Sequence, residues 1–167
     1  VNLVTDSLPA IALGVDPCDS DIMRRKPKTD TSLFSAALWL RIAVEGAMIG
    51  MLALLAFAAG SVIYGSINTG RTMAFAVLSI SQLVHAFNMR SEHSLFNINP
   101  LENKYLVGAF AVGTLMQCAV IQIPAAAQVF KVTPLNSIQW LWVLMLCLMP
   151  IIIVELEKRL GGEEYSA

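Results

Sequence analysis

The residues of this 167-residue chain best suited to chemistry stand at its start: Asn2, Thr5 and Asp6, an N-x-x-T-D arrangement inside the largely apolar run from Val1 to Pro9. Spacings of three and four put their oxygens on adjacent parts of one helical face. Amide, hydroxyl and carboxylate oxygens are the ligands a hard cation such as calcium takes. An ionised Asp in apolar surroundings is costly unless it faces a partner or a cation. Pro9, three residues after the acid, removes a helical hydrogen bond and obstructs the preceding turn, so carbonyls near Thr5 and Asp6 are freed to face the same place. The same groups suit an interhelical hydrogen-bond cluster, and spacing alone does not choose between the two.

The elements that must position these residues follow from composition. Hydrophobic residues make up 56% of the chain and charged residues 14%, with a mean hydropathy of +0.66, more apolar surface than a soluble domain buries. Four stretches, Ser35 to Tyr64, Thr72 to Met89, Tyr105 to Ile123 and Leu135 to Val154, are nearly free of charge. Each is about long enough to cross a hydrocarbon core roughly 30 Å thick at about 1.5 Å per residue. They show little of the one-sided polarity of a soluble core helix, so they are expected to be transmembrane helices. Gln82 and His85 interrupt the second, and Gln117 and Gln122 fall in the third, which ends at Pro124.

The net charge of −1 names no partner, but its distribution orients the chain. Arg24, Arg25, Lys26, Lys28, Arg90, Lys104, Lys158 and Arg159 fall on one side of the predicted spans, and only Arg71 and Lys131 on the other. The positive-inside rule makes the first side, with the C-terminus, cytoplasmic. Trp140 and Trp142 suit the outer interface. Residues 1–14 read as the second half of a helix whose beginning is missing, 15–32 as a cytoplasmic loop, 33–160 as four spans with short connections, and 161–167 as a cytoplasmic tail. Val1 to Gly14 does not resemble a signal peptide, having no charged segment before an apolar run.

Other motifs carry less. Asp16, Asp19 and Asp21 lack the spacing, central glycine and closing glutamate of an EF-hand. Gly46 and Gly50 form a Gly-x-x-x-Gly pair that admits a close helical neighbour. Arg41 and Glu45, one turn apart, are placed to form a structural ion pair. Gly65 to Gly70 reads as a turn-rich loop. Cys18, Cys118 and Cys147 are expected to be free thiols.

Asn2 to Gly14 (NLVTDSLPAIALG), followed by Asp21 to Pro27 (DIMRRKP), resembles the sixth transmembrane helix and following loop of P2-type ATPases. Pro134 to Trp140 (PLNSIQW), leading to Pro150 and Glu155, resembles the tenth helix. Asn88 with Ser91 and Glu92 resembles the end of the eighth. The resemblance covers the whole chain and implies an all-α membrane protein: half of helix six plus helices seven to ten of a calcium pump like the bacterial and secretory-pathway ones. It implies that Asn2 and Asp6 coordinate transported calcium, that Thr5 serves an adjoining site, and that Gly46 and Gly50 pack against a fifth helix. The implied partners are the bilayer and the other helices and cytoplasmic domains of one pump, with no nucleic acid. Pumps that move two calcium ions have an eighth-helix glutamate where Gln82 stands here, which makes Gln82 a weak ligand candidate and implies one calcium per ATP. Manganese and sodium–potassium pumps share the layout, and a non-catalytic membrane scaffold is the reading from another class. No D-K-T-G or T-G-E motif occurs in these residues, so Mg2+ and ATP are expected to act on other domains of the parent protein, and this chain alone is expected not to hydrolyse ATP.

Overall fold

The computed structural model describes residues 2–16, 36–90 and 102–160. The chain runs as α1 (Asn2–Gly14), α2 (Ala36–Ala58) continued by a π-helical turn (Ala59–Ile63), α3 (Ile67–Met89), α4 (Lys104–Gln122), the short α5 (Pro124–Phe130) and α6 (Ser137–Leu160). Among the described residues four stretches are long and apolar enough to cross a membrane: Leu38–Ile63, Ile67–Met89, Lys104–Gln122 and Ser137–Leu156. Cys18, Asp19 and Asp21, the basic cluster from Arg24 to Lys28, Ser91 and Glu92, and the tail 161–167 lie outside the described residues.

Helix α3 is the central element. In its most apolar stretch 61% of the residues are buried, against 22% for α2, 33% for α4 and 28% for α6. It packs against α2, α6, α4 and α1. Met73, Ala76, Val77 and Ile80 of α3 meet Leu52 and Ala56 of α2, Ile121 of α4, and Val143 and Cys147 of α6 in the main core. The helices around it leave Trp39, Leu54, Leu55, Leu115, Leu141, Leu148 and Ile152 exposed. Such a girdle of large apolar side chains suits lipid and not water. Cys118 and Cys147 are free thiols, as expected.

The helix ends have local causes. The loop expected from Gly65 to Gly70 is shorter than that, because Ser66 Oγ accepts from the Thr69 amide at 3.2 Å and starts α3 at Ile67. Gly65, at φ +63°, makes the turn, a backbone geometry that glycine takes without strain. Pro124 stops α4 and begins α5, which was not expected; a proline suits the first helical position because its missing N–H has no partner there. Asn136 and Gln139 cap α6 reciprocally, each side-chain oxygen accepting the other's amide at 2.9 Å.

Within this chain the close helix crossing is at Gly60 and Gly70; the fifth helix against which Gly46 and Gly50 are expected to pack is not among these residues. A Cβ on Gly46 or Gly50 would meet nothing within 4 Å, whereas one on Gly60 would lie 2.4 Å from the Gly70 Cα. One on Gly70 would lie 2.7 Å from the Phe57 carbonyl oxygen. The backbones of α2 and α3 touch at the π-turn, and only glycine fits on either side.

Candidate functional site

Among the sequence-predicted ligands, Thr5 and Asp6 are neighbours on α1 with opposite environments. Thr5 is 1% exposed, while Asp6 is exposed between the exposed apolar residues Leu3 and Ile11. Asn2 belongs to the same helix; its side chain lies outside the described residues. Pro9 lies inside α1, and the hydrogen bond its missing N–H cannot give is the one to the Thr5 carbonyl, four residues back. An acid, a hydroxyl and a backbone carbonyl to which Pro9 cannot donate therefore share little more than one turn. These are all hard oxygen ligands, suited to a cation of the calcium type.

Helix α1 packs against α4 and α3. Leu8, Ala12 and Leu13 join Ala86 and Phe87 of α3 and Leu106 and Ala109 of α4 in a second apolar cluster. Gln82 stands one turn before Ala86, so it shares the side of α3 that is turned toward α1, and it is exposed. Among the described residues no group of three His, Cys, Asp or Glu side chains is placed to hold a metal ion.

His85, next to Gln82 in the polar part of α3, turns the other way. Its Nε2 lies 3.1 Å from Glu45 Oε2 on α2, and its Nδ1 is 3.4 Å from Asn88 Nδ2. The tautomer with its proton on Nε2 satisfies both: Nε2 donates to the carboxylate and Nδ1 accepts from the amide. Asn88 Nδ2 also donates to the Pro150 carbonyl of α6 at 3.2 Å, and Arg41 Nε donates to Glu45 Oε1 at 2.8 Å. The predicted Arg41–Glu45 pair is thus one arm of a network joining α2, α3 and α6. Sequence reasoning missed the rest; Glu45 and His85 are 40 residues apart, and no local spacing signals such a pair.

Gln122 ties α4 to the stretch before α6, its Nε2 donating to the Leu135 carbonyl at 2.8 Å. Gln117 is fully buried, and neither of its side-chain polar atoms has a hydrogen-bond partner among the described residues.

Residues 1–160 match the family described as "Cation transporting ATPase, C-terminus". A Bacillus cereus protein named "Calcium-transporting ATPase 1" is 44% identical over 95% of this chain and 20% of its own length. A Bacillus subtilis "Calcium-transporting ATPase" is 36% identical over 90% of this chain and 17% of its own. An Arabidopsis thaliana "Calcium-transporting ATPase 3, endoplasmic reticulum-type" is 32% identical over 96% and 19%. The chain spans about a fifth of the length of the curated relatives it matches.

Proposed function

Because this chain belongs to the cation-transporting ATPase C-terminal family and is an all-α, integral membrane segment, we propose that it supplies the sixth-helix ion ligands and the supporting helices seven to ten of an ATP-driven calcium pump. The observation that carries the proposal is Asp6: a carboxylate exposed on a helix whose other exposed positions include Leu3 and Ile11, one residue from buried Thr5 and three before Pro9. A charge kept in such a place needs a cation or another helix opposite it.

In this proposal Asp6 and Asn2 bind the transported calcium, the acid giving charge neutralisation and the amide a neutral oxygen. Thr5 serves the adjoining position. Gln82 keeps an oxygen on the α1 side of α3 and brings no charge, so a second divalent ion there is neutralised poorly in a medium where charge imbalance is costly. One calcium per ATP follows. Phosphorylation of cytoplasmic domains, with Mg2+ and ATP acting there, changes the affinity and accessibility of this site. The C-terminus is cytoplasmic and the membrane is the plasma membrane of a bacterium, in keeping with the charge asymmetry and with two of the relatives. The three relatives' names favour calcium over manganese or sodium and potassium.

Calcium uptake by vesicles holding the full-length pump tests the proposal. Asp6→Asn abolishes uptake if Asp6 is a ligand; wild-type uptake by that variant favours the scaffold reading, in which Asp6 only bonds to a neighbouring helix.

A further inference from the structure

At the foot of α1 three helices meet in one polar joint. Asp16, just past the helix end, accepts from Arg90 Nε, at the end of α3, at 3.1 Å on Oδ1 and 2.8 Å on Oδ2. Asn103 donates from Nδ2 to the same carboxylate at 2.9 Å and to the Ala12 carbonyl at 2.9 Å. Its Oδ1 accepts from the Leu106 amide at 2.9 Å. One side-chain amide therefore caps two helices: it satisfies a carbonyl near the end of α1 and an amide in the first turn of α4. Arg90 Nη2 reaches Glu102 at 3.3 Å on the outer side of the joint.

We propose that Asp16, Arg90 and Asn103 form a clasp that sets the axial position of α1, and through it the affinity of Asp6 and Thr5 for calcium; the inference rests on the function proposed above. Two observations support it. The remainder of the α1 interface named above is apolar, made by Leu8, Ala12 and Leu13 against Ala86, Phe87, Leu106 and Ala109. Apolar contact is non-directional and tolerates small slides of one helix along another, whereas charged hydrogen bonds fix both distance and direction. The clasp is also largely shielded from solvent, the Arg90 side chain being 6% and Asp16 14% exposed, so removing Arg90 leaves the Asp16 carboxylate without its cation and the joint shifts. Ala12 is six residues from Asp6, about 9 Å along a helix. A displacement at the foot thus reaches the proposed ligands through less than two turns of one continuous helix that contains Pro9. Asp16, Arg90 and Asn103 are positioning residues; none of them is proposed to touch the ion.

The test is equilibrium calcium binding, together with turnover, of the full-length pump in native membranes. Asn103→Asp is the most telling variant, because it keeps the oxygen that caps α4, loses the two donors to α1 and sets a negative charge against Asp16. Arg90→Gln removes the ion pair. Both are expected to raise half-saturating calcium about tenfold while turnover at saturating calcium stays within about twofold, a loss of binding and not of chemistry. The exchange Asp16→Arg with Arg90→Asp is expected to recover most of the affinity. Unchanged affinity in both single variants overturns the clasp. So does a joint fall of affinity and turnover that the exchange does not rescue, which marks a joint that only holds the fold. If Arg90→Gln fails to accumulate, Asn103→Asp decides, since the α4 cap is intact. Failure of the underlying function shows separately, as calcium binding retained in Asp6→Asn whatever the clasp variants do.

Discussion

Helices α1 and α3 both carry polar side chains among apolar ones, and they dispose of them in opposite ways. In α3 three polar groups are tied to neighbours: Thr72 bonds to Thr133, His85 to Glu45, and Asn88 to the Pro150 carbonyl. In α1 the acid is exposed, and Pro9 inside the helix withholds a backbone donor one turn after Thr5. A polar group with a protein partner in an apolar medium fixes architecture. One held open in the same medium is available for an ion. The contrast is what the proposed function rests on, with the bundle around α3 as support and α1 as the binding helix, and each half of it can be broken by experiment.

The largest expected effect separates two carboxylates. Asp6→Asn should lower calcium uptake by the full-length pump by about 100-fold or more while leaving the folded protein in the membrane, since the proposed ligand is exposed and its loss changes no packing. Glu45→Ala should do the reverse. It leaves Arg41 and His85 without their shared acceptor and lowers the amount of folded pump, and the molecules that do fold still transport. Uptake assays normalised to the amount of folded pump distinguish the two; equal loss of specific activity in both would erase the contrast.

A smaller effect belongs to the glycines. Gly60→Ala forces a methyl against the Gly70 backbone, so it should destabilise the bundle by about 1–3 kcal/mol. Gly113→Ala should cost less, because the obstacle is the end of the Leu83 side chain, which can turn away. Thermal unfolding in detergent gives the order; a Gly113 variant less stable than the Gly60 variant would contradict the crossing described here. The smallest effect is at Thr72, whose hydroxyl accepts from the Thr133 amide at 3.0 Å and lies 3.2 Å from the Thr133 hydroxyl. Thr72→Val should cost about 1 kcal/mol in the same measurement and leave calcium affinity as it is.

The sequence made the spans legible because their signal is local: long uncharged runs, and proline and tryptophan at their ends. Helix starts were less so, as at Ser66, where a capping serine turns a sequence with a loop's composition into the first turn of α3. The contact between Gly60 and Gly70 was not legible, because the two lie on different helices and have no common motif. That Asn2, Thr5 and Asp6 share one helix was legible from their spacing, and the proposed ion site rests on that order. The Glu45–His85 pair and the Asp16–Arg90–Asn103 joint were not, because their partners come together only once α2, α3 and α4 have packed.

Equilibrium binding of calcium to the purified full-length pump tests the central assignment most directly. One ion per phosphorylatable site, lost in Asp6→Asn and kept when Gln82 is replaced by Ala, is the predicted result. Two tightly bound ions, one of them lost on replacing Gln82, or a single ion that survives Asp6→Asn, would contradict it.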